Sequence, residues 1–325
     1  MLKLAAPDFW QSRGIASTLL APLGLAYGAA GTLRRALTRP YRASVPVICV
    51  GNLVAGGAGK TPVALSLADR LSQKGISVHF LTRGYGGSLA GPIAVDPKRH
   101  GAAEVGDEAL LLAHSAPTWV ARDRVKGAGA ATRDGAELLL LDDGFQNPGL
   151  RKDLSILVVD GTYRFGNGRL IPAGPLRESV RSGLARAQAA VLMGEDEAGI
   201  GKTLAAHLPL LRARIVAESA SLSGKPLVAF AGIGRPDKFF DLLQRSGAEL
   251  IARRPFPDHH PYRAAELDAL AAEAGAAGAT LMTTAKDRVR LPIGWRDRVE
   301  VLEIAVEWDD QAALDALVAG VLPHG

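Results

Sequence analysis

One glycine-rich segment has the residue types of a phosphate-binding loop. Residues 51–62 are G-N-L-V-A-G-G-A-G-K-T-P, placed between an apolar run and a helical pattern. Glycines let successive backbone N–H groups point at phosphate oxygens, and the start of a helix adds its positive dipole. Lys60 would reach the β- and γ-phosphates of a nucleotide, and the Thr61 hydroxyl would bind Mg²⁺. The predicted nucleotide-binding residues are Gly56, Gly57, Ala58, Gly59, Lys60 and Thr61.

This loop departs from the standard phosphate-loop pattern at one position. The pattern G-x-x-x-x-G-K-[ST] requires glycine at position 54, where the chain has Val54. Additional glycines stand at positions 56 and 57. Because strand, loop and helix follow one another in the expected order, we favour nucleotide binding over a plain glycine-rich turn.

Two adjacent carboxylates follow a run of four leucines. Asp142 and Asp143 come directly after residues 138–141. The carboxyl ends of parallel strands form the ligand crevice of an α/β sheet, so both side chains are expected beside the phosphate loop, where they would bind Mg²⁺. The alternative is a polar turn, since Asp-Gly is a common turn pair. The spacing leaves open which of the two carboxylates contacts the metal.

A third carboxylate and a histidine are candidates for proton transfer. Asp107 precedes a helical pattern at 109–115, which is typical of a helix N-cap, but an alcohol kinase also needs a rigidly held general base. His259 lies in a proline-rich loop at 255–261 and either supports such a base or belongs to the surface. The lone Cys49 and the scattered histidines make a zinc site improbable.

Short apolar runs alternate with helical patterns from residue 45 onward, as in a parallel, doubly wound α/β sheet. The predicted strands are 45–50, 77–81, 118–121, 137–141, 155–159 and 189–193. After the polar stretch 218–225, a second series is predicted at 226–230, 248–252, 280–284 and 299–306, followed by a helix at 310–322. We therefore predict a P-loop domain over 45–222 and a smaller α/β domain over 223–325.

The positive charge of the chain is concentrated at its start. The 325 residues are 48% apolar and 22% charged, which excludes a disordered or low-complexity protein. Residues 1–44 contain six Lys or Arg and one Asp, so they account for the whole net charge of +5. A neutral body with one basic end fits an anionic membrane surface better than a nucleic acid. With one cysteine, a reducing compartment is expected.

Residues 14–33 carry no charge and are about as long as a bilayer-spanning helix. Glycines and Pro22 weaken that interpretation, and a helix lying in the membrane interface is favoured over a buried or a spanning one. The apolar residues at helical spacing are Ile15, Leu19, Leu23, Ala26, Ala30, Leu33 and Leu37. The basic residues expected to meet lipid phosphates are Arg34, Arg35, Arg39 and Arg42.

Taken together, the motifs resemble the tetraacyldisaccharide 4'-kinase family of lipid A biosynthesis. The apolar N-terminal helix, the loop G-N-L-x-x-G-G-x-G-K-T-P and D-D-G-F-Q at 142–146 carry the resemblance. The shorter motifs are R-G-Y-G at 83–86, G-D-E at 106–108, G-P-L-R-E at 174–178, D-H at 258–259 and K-D at 286–287. Two positions depart from the family pattern: Asn147 replaces its usual His, and Ala285 replaces its usual Glu.

The resemblance implies an ATP- and Mg²⁺-dependent kinase that phosphorylates the 4'-hydroxyl of a tetraacylated glucosamine disaccharide 1-phosphate, giving lipid IVA. It implies two α/β/α sandwich domains that close over the nucleotide. Lys60 would be catalytic, Asp107 would be the base and His259 would orient it. The expected contacts with the lipid substrate are Arg124, Gln146, Asn147, Arg177 and Glu178.

A substrate with four acyl chains stays in the bilayer, and ATP is cytosolic. The resemblance therefore implies a peripheral or monotopic protein on the cytoplasmic face of a Gram-negative inner membrane, with no nucleic-acid partner and no obligate protein partner. One alternative is a P-loop GTPase or metal-delivery switch, but residues 284–287 lack the Asn of a guanine-binding N-K-x-D loop. Another alternative is a kinase for a soluble metabolite, but a soluble substrate does not explain the apolar N-terminal helix. A degenerate, purely structural membrane protein conflicts with the intact Lys60-Thr61 pair.

Overall fold

Two β-sheets of unequal size organise the chain. A computed structural model describes residues 7–197, 199–218 and 222–322. The strands of the large sheet are β1 (Val47–Gly51), β2 (Val78–Thr82), β3 (Ile93–Ala94), β4 (Thr118–Val120), β5 (Leu138–Asp142), β6 (Leu154–Asp160), β7 (Ala189–Met193), β8 (Leu210–Ala217) and β13 (Ile304–Trp308). The strands of the small sheet are β9 (Pro226–Ala231), β10 (Glu249–Pro255), β11 (Thr280–Thr284) and β12 (Glu300–Leu302).

The nine strands of the large sheet lie in the order β13-β8-β7-β6-β1-β5-β2-β4-β3. Among the described strands of this sheet, β3 and β13 at the two edges are the ones that pair antiparallel with their neighbours. β1 is central and lies between β5 and β6, with Val50 opposite Asp142 at its end. The predicted α/β fold with a large parallel sheet is confirmed.

Helices cover both faces of the large sheet. In β1, Val47 and Cys49 pack into one apolar core, and Ile48 and Val50 pack into the other. The helices are α1 (Ile15–Leu19), α2 (Ala21–Leu37), α3 (Lys60–Gln73), α4 (Ala102–Val105), α5 (Asp107–Ala113), α6 (Arg124–Arg133), α7 (Val180–Leu184), α8 (Ile200–Ala205), α9 (Pro236–Arg245), α10 (Ala264–Ala276), α11 (Ala285–Arg288) and α12 (Gln311–Ala319). Because successive side chains of a strand point to opposite faces, a continuous apolar run is what a strand buried on both sides requires.

The small sheet has the order β10-β9-β11-β12 and is parallel throughout. It also has an apolar core on each face. Phe230 of β9 packs with Leu267 of α10, whereas Ala229 packs with Phe240 of α9. This sheet is therefore a second three-layer unit.

The strand predicted at 299–306 is wrong, because the segment forms two strands in different sheets. β12 ends at Leu302 in the small sheet, and β13 returns to the large sheet, where it pairs antiparallel with β8. Leu314 and Val318 of α12 pack into the core of the large sheet. The end of the segment that we assigned to the small domain thus lies with the large sheet. Residues 1–6, 198, 219–221 and 323–325 of the predicted segments lie outside the described residues.

The N-terminal helix α2 packs on the body through two glycines. A Cβ on Gly24 would lie 2.9 Å from the Leu170 carbonyl oxygen, and one on Gly28 would lie 2.6 Å from a Leu170 methyl group. Residues four apart share a helix face, so these glycines form the flat face that contacts Leu170. The large apolar side chains left exposed on α1 and α2 are Ile15, Leu19, Leu23, Leu25, Tyr27, Leu33 and Leu37. Within the described part of the chain, every helix is too short or too polar to cross a membrane.

Candidate functional site

The glycine-rich loop connects the central strand β1 to α3. Gly59 has φ +84° and caps the helix, which begins at Lys60, and Gly56 has φ +116°. These values lie in the region where glycine carries no steric penalty. The loop therefore presents its backbone at the N-terminus of a 14-residue helix, as phosphate binding requires.

Val54 has a structural reason to replace the glycine of the standard pattern. Its backbone forms an antiparallel β-bridge with Leu176, and its side chain is buried. The Ala55 N–H donates to the Pro175 carbonyl at 2.8 Å, and the Arg177 N–H donates to the Leu53 carbonyl at 2.7 Å. The first half of the loop is thus paired with the G-P-L-R-E segment, which fixes Arg177 beside the site.

Asp142 and the helix N-terminus meet at the end of β5. The Thr61 hydroxyl donates to Asp142 Oδ2 at 2.9 Å, whereas the buried Asp142 Oδ1 has no hydrogen-bond partner among the described residues. Burial raises the pKa of Asp142 to about 7, and the negative charge of Glu108 adds to the shift. A buried, unpartnered carboxylate oxygen beside a hydroxyl fits a site for a divalent cation with oxygen ligands.

Asp143 adopts the left-handed conformation, with φ +56°, and its side chain faces two cations. Arg177 Nη1 donates to Asp143 Oδ1 at 2.7 Å, and Lys60 Nζ lies 3.6 Å from the same oxygen. Enclosure by protein would raise the pKa of Asp143, but Lys60 and Arg177 outweigh it and lower the pKa to about 2. The phosphate-loop lysine, two carboxylates and one arginine therefore form one cluster.

Asp107 and His259 form a hydrogen-bonded pair. The distance between His259 Nδ1 and Asp107 Oδ2 is 2.6 Å, and Asp107 Oδ1 accepts from the Glu108 N–H at 3.0 Å. The interpretation of Asp107 as an N-cap is wrong, because Gly106 caps α5 and Asp107 is the first helical residue. Gly106 has φ +88°, which turns the chain so that the carboxylate points toward His259.

Positive charges surround this pair. Arg290 Nε lies 3.5 Å from Asp107 Oδ2, and Lys286 Nζ lies 3.2 Å from Glu108 Oε1. Burial would raise the pKa of Asp107, but the hydrogen bond from His259 and the charges of Lys286 and Arg290 lower it to about 2. Asp107 is therefore ionised at neutral pH.

The pair and the phosphate loop face each other across the gap between the two sheets. His259 follows β10 of the small sheet, and Asp107 begins α5 on the large sheet. A Cβ on Gly234 would lie 3.6 Å from the Gly57 nitrogen and 3.4 Å from Asp258 Oδ2. The loops of the small sheet thus lie directly over the glycine-rich loop, and one of them carries His259.

Comparison with known proteins identifies the family. A sequence model of the LpxK family, described as tetraacyldisaccharide-1-P 4'-kinase, matches residues 16–322. The chain belongs to this family. The tetraacyldisaccharide 4'-kinase of Rhodospirillum centenum is 56% identical and covers 98% of this chain and 97% of its own length. That of Paramagnetospirillum magneticum is 57% identical and covers 97% of this chain and 98% of its own length.

A crystal structure of LpxK from Aquifex aeolicus, described as a complex with ATP, has the same fold. Its TM-score is 0.76 at 28% identity, and the match covers 95% of this chain and 100% of that protein. The resemblance to the tetraacyldisaccharide 4'-kinase family that we predicted from the motifs is confirmed.

The family resemblance implied five contacts with the lipid substrate, and two of them, Arg124 and Asn147, lie around one groove. The groove has a volume of about 270 Å³. Its lining includes Arg34, Arg122, Arg124 and Asn147. Arg124 is buried and donates to the Ala121 carbonyl, while its Nε has no hydrogen-bond partner in the part of the chain that the structure describes. Burial lowers the pKa of Arg124 to about 10, with a contribution from Arg83.

Glu178 and Gln146 belong to a buried polar network rather than to an open surface. Arg186 Nη2 donates to both Glu178 oxygens at 2.6 Å, and Arg35 Nη1 of α2 lies 3.7 Å away. Gln146 Nε2 donates to Glu178 Oε1 at 3.1 Å and to the Asn52 carbonyl at 2.9 Å. In the structure, Glu178 ties the N-terminal helix and the D-D-G-F-Q loop to the body.

Several charged residues of the site had no role in the sequence analysis. Glu108 and Lys286 are part of the G-D-E and K-D motifs, so their placement beside Asp107 had a signal in the motifs. Arg290 had none, because it belongs to no motif and a single arginine shortly after a helix is common on protein surfaces. Asp160, at the end of β6, accepts hydrogen bonds from Arg235 at 2.7 Å and Lys238 at 2.5 Å across the gap between the sheets.

Proposed function

We propose that this chain transfers the γ-phosphate of ATP to the 4'-hydroxyl of a tetraacylated glucosamine disaccharide 1-phosphate. The observation that carries the proposal is the juxtaposition of the Asp107–His259 pair with a phosphate loop that contains Lys60 and Thr61. The names of the relatives support the acceptor, and the ATP complex of the Aquifex aeolicus protein supports the donor.

The nucleotide phosphates bind the backbone of 56–59 and the ammonium group of Lys60. Thr61, Asp142 and Asp143 would hold Mg²⁺, which would supply neutralisation of charge on the transferred group. The structural observation that supports a metal site here is Asp142 Oδ1, which is buried and has no hydrogen-bond partner among the described residues. Lys60 and Arg177 stabilise the negative charge that develops as the phosphoryl group moves.

Asp107 accepts the proton of the attacking hydroxyl. Each of its oxygens already accepts one hydrogen bond, and each keeps a free lone pair for the substrate. His259 orients the carboxylate, and the low pKa of Asp107 keeps it ionised at neutral pH. In a phosphoryl transfer with a loose transition state, such positioning contributes more than base strength.

The acceptor headgroup lies along the groove that Arg124 and Asn147 line, beside Gln146 and Arg177. Asn147 occupies the position of the usual family histidine, and its Oδ1 accepts from the Gly149 N–H at 2.9 Å, which fixes the loop. Arg124 and Arg177 supply positive charge toward an acidic headgroup. Glu178 acts indirectly, by holding Gln146.

The exposed apolar face of α1 and α2 docks the protein on the membrane. Leu19, Leu25 and Leu37 are each at least 70% exposed, and the opposite face of α2 packs on Leu170. A helix with one face on the protein and one apolar face outward fits the plane of a membrane interface. We place the protein on the cytoplasmic face of the inner membrane, where ATP and the lipid meet.

The two sheets close over the nucleotide as separate domains. The larger domain comprises 45–222 together with β13 and α12, and the smaller one comprises the rest of 223–325. β8 and β13, paired antiparallel, form the connection between them. Closure brings His259 to Asp107 and excludes water from the transfer.

The direct test is transfer of label from γ-labelled ATP to tetraacyldisaccharide 1-phosphate in detergent micelles, with wild type beside Lys60→Ala. Lipid labelling that the variant lacks supports the proposal. ATP binding without lipid labelling contradicts the acceptor and favours a soluble substrate. Selective binding of GTP with slow hydrolysis would instead favour a nucleotide switch.

A further inference from the structure

We propose that Arg290 is a positioning residue for the Asp107–His259 pair: its guanidinium group joins three loops of the small sheet and holds both members of the pair in place. The inference rests on the proposed function, since it concerns the base of the phosphoryl transfer. It adds a residue outside the recognised motifs.

Arg290 is buried and its guanidinium group is saturated with partners. Its side chain is 5% exposed. Nη2 donates to the Gly232 carbonyl at 2.9 Å and to Asp287 Oδ1 at 2.6 Å, and Nη1 donates to the His260 carbonyl at 3.4 Å. These partners follow β9, β10 and β11, so one side chain spans the edge of the small sheet that faces Asp107.

The Gly232 carbonyl connects Arg290 to the backbone of His259. It accepts from the His259 N–H at 3.0 Å and from Arg290 at 2.9 Å. His259 has φ +60°, a conformation that a non-glycine residue adopts only when its surroundings hold it there. Arg290 binds this segment on both sides, through Gly232 and through His260, and so fixes the direction of the imidazole.

Asp287 in turn fixes Arg290. This fully buried carboxylate accepts from the Gly232 N–H at 2.9 Å, from the Tyr262 hydroxyl at 2.7 Å and from the Thr284 hydroxyl at 2.5 Å. A carboxylate with this many donors holds the guanidinium group in one orientation. The third nitrogen, Nε, donates to the Lys286 carbonyl at 3.2 Å and lies 3.5 Å from Asp107 Oδ2, so the cation is held beside the carboxylate.

The arrangement also places charge next to the base. Besides Asp107 and His259 themselves, five charged or titratable groups surround the pair. They are Asp258 from the loop after β10, Lys286 and Arg290 from the α11 segment, Glu108 from α5, and Tyr85. The ring centroid of Tyr85 is 5.8 Å from that of His259. Removal of the Arg290 cation therefore raises the pKa of Asp107, because that positive charge favours the ionised carboxylate.

The test compares Arg290→Met, Arg290→Lys and the control Arg288→Met. Arg288 lies in the same segment, but its side chain is 44% exposed and pairs with an exposed Asp297. We expect Arg290→Met to lower kcat about 10- to 100-fold at an unchanged KM for ATP, because small displacements of reacting groups have effects of this size. The acid limb of the pH profile of kcat/KM moves up by about one pH unit.

Arg290→Lys separates charge from geometry. It retains the cation, so the acid limb stays at its wild-type position, but kcat remains reduced because an ammonium group lacks the guanidinium fork. Arg288→Met leaves both quantities unchanged. An unmoved acid limb in Arg290→Met contradicts the inference, even if kcat falls. If Arg290→Met does not fold, a wild-type kcat in Arg290→Lys contradicts it, and a loss of about tenfold or more supports it.

An NMR measurement that does not depend on catalytic turnover tests the role of Arg290 separately from the proposed function. Failure of the wild type to phosphorylate the lipid would overturn the function alone. The proton in the hydrogen bond between His259 and Asp107 is expected to give a downfield NMR resonance, assigned by its loss in His259→Gln. We expect that resonance in the wild type and in Arg288→Met, and its loss or broadening in Arg290→Met. A sharp, unshifted resonance in Arg290→Met would show that Arg290 does not position the pair.

Discussion

His259 Nδ1 lies 2.6 Å from Asp107 Oδ2, although the two residues are 152 positions apart and belong to different sheets. Asp107 begins a helix of the large sheet, and His259 follows a strand of the small one. The pair therefore exists only while the two sheets are in contact. This relationship links the proposed acid–base chemistry of the site to the contact between the two sheets.

Replacement of Asp107 by Asn tests its role as the base. A general base contributes about 10²- to 10⁴-fold, and we expect kcat to fall by that factor. The affinity for ATP stays at the wild-type value, because the phosphate loop does not contact this side chain. Steady-state kinetics and calorimetric ATP titrations measure the two quantities. Near-normal turnover would remove Asp107 from the mechanism.

The same variant has a predicted effect on acid stability. The pKa of Asp107 is lowered from 3.8 to about 2 in the folded protein. Because its pKa is lower in the folded than in the unfolded protein, the ionised Asp107 adds to the free energy of unfolding at pH values above 3.8. This contribution is lost as the pH falls toward 2. Between pH 7 and pH 3, the wild type should lose about 1 kcal/mol more unfolding free energy than Asp107→Asn. Urea unfolding at both pH values measures the difference, and equal losses would refute it.

Replacement of Thr61 by Val tests the Mg²⁺ site. The hydroxyl donates to Asp142 at 2.9 Å and is the proposed metal ligand, whereas Val keeps the shape of the side chain. We expect the Mg²⁺ concentration for half-maximal activity to rise by about tenfold or more, with Thr61→Ser close to the wild type. Titration of activity with Mg²⁺ at fixed ATP measures this. Identical Mg²⁺ dependence in Thr61→Val would exclude the hydroxyl as a ligand.

Polar substitutions on α2 test membrane docking without disturbing its contact with Leu170. The triple variant Leu25→Ser, Leu33→Ser, Leu37→Ser removes three exposed apolar side chains. Binding to vesicles of phosphatidylethanolamine and phosphatidylglycerol should weaken by about tenfold or more. Ile293→Ser, at an 82% exposed position on the small domain, is the control and should bind normally. Cosedimentation that is the same for all three proteins would contradict the docking surface.

Two glycines of α2 differ in a way that stability measurements can detect. A Cβ on Gly24 would lie 2.9 Å from the backbone oxygen of Leu170, whereas one on Gly31 would meet only the flexible end of Arg35 at 3.7 Å. We expect Gly24→Ala to lower the free energy of unfolding by about 1 kcal/mol or more. Gly31→Ala should raise it by up to about 1 kcal/mol, because Ala favours the helix. Chemical denaturation that ranks the variants in the opposite order would refute this packing.

Much of the fold was predictable because the buried parallel strands are apolar and short. The strands at 189–193 and 280–284 have the predicted bounds. β8 was missed, because Arg212 and Arg214 alternate with its apolar residues, and β3 has only two residues. The sequence between β12 and β13 contains no glycine, proline or turn motif that would indicate a change of sheet. The two strands were therefore predicted as one.

The residues of the site also differ in how far the sequence predicts them. The phosphate loop, Asp142 and Asp143 are local motifs, and strand order alone brings them together. The partners of Asp107 depend on how one sheet sits on the other, which no spacing encodes, and Arg290 belongs to no motif. The glycines of α2 were interpreted as helix-weakening residues, and their contact with Leu170 became visible only in the tertiary structure.

The position of the new phosphate on the lipid decides whether this chain is a 4'-kinase. The protein, ATP and Mg²⁺ are incubated with tetraacyldisaccharide 1-phosphate, and the product is analysed by ³¹P–¹H correlation NMR, with Lys60→Ala and Asp107→Asn in parallel. We predict a second phosphomonoester that couples to the proton on C4', formed by the wild type and missing or strongly reduced in both variants. An unmodified lipid, a phosphate on another carbon, or the same product from Lys60→Ala would contradict the account.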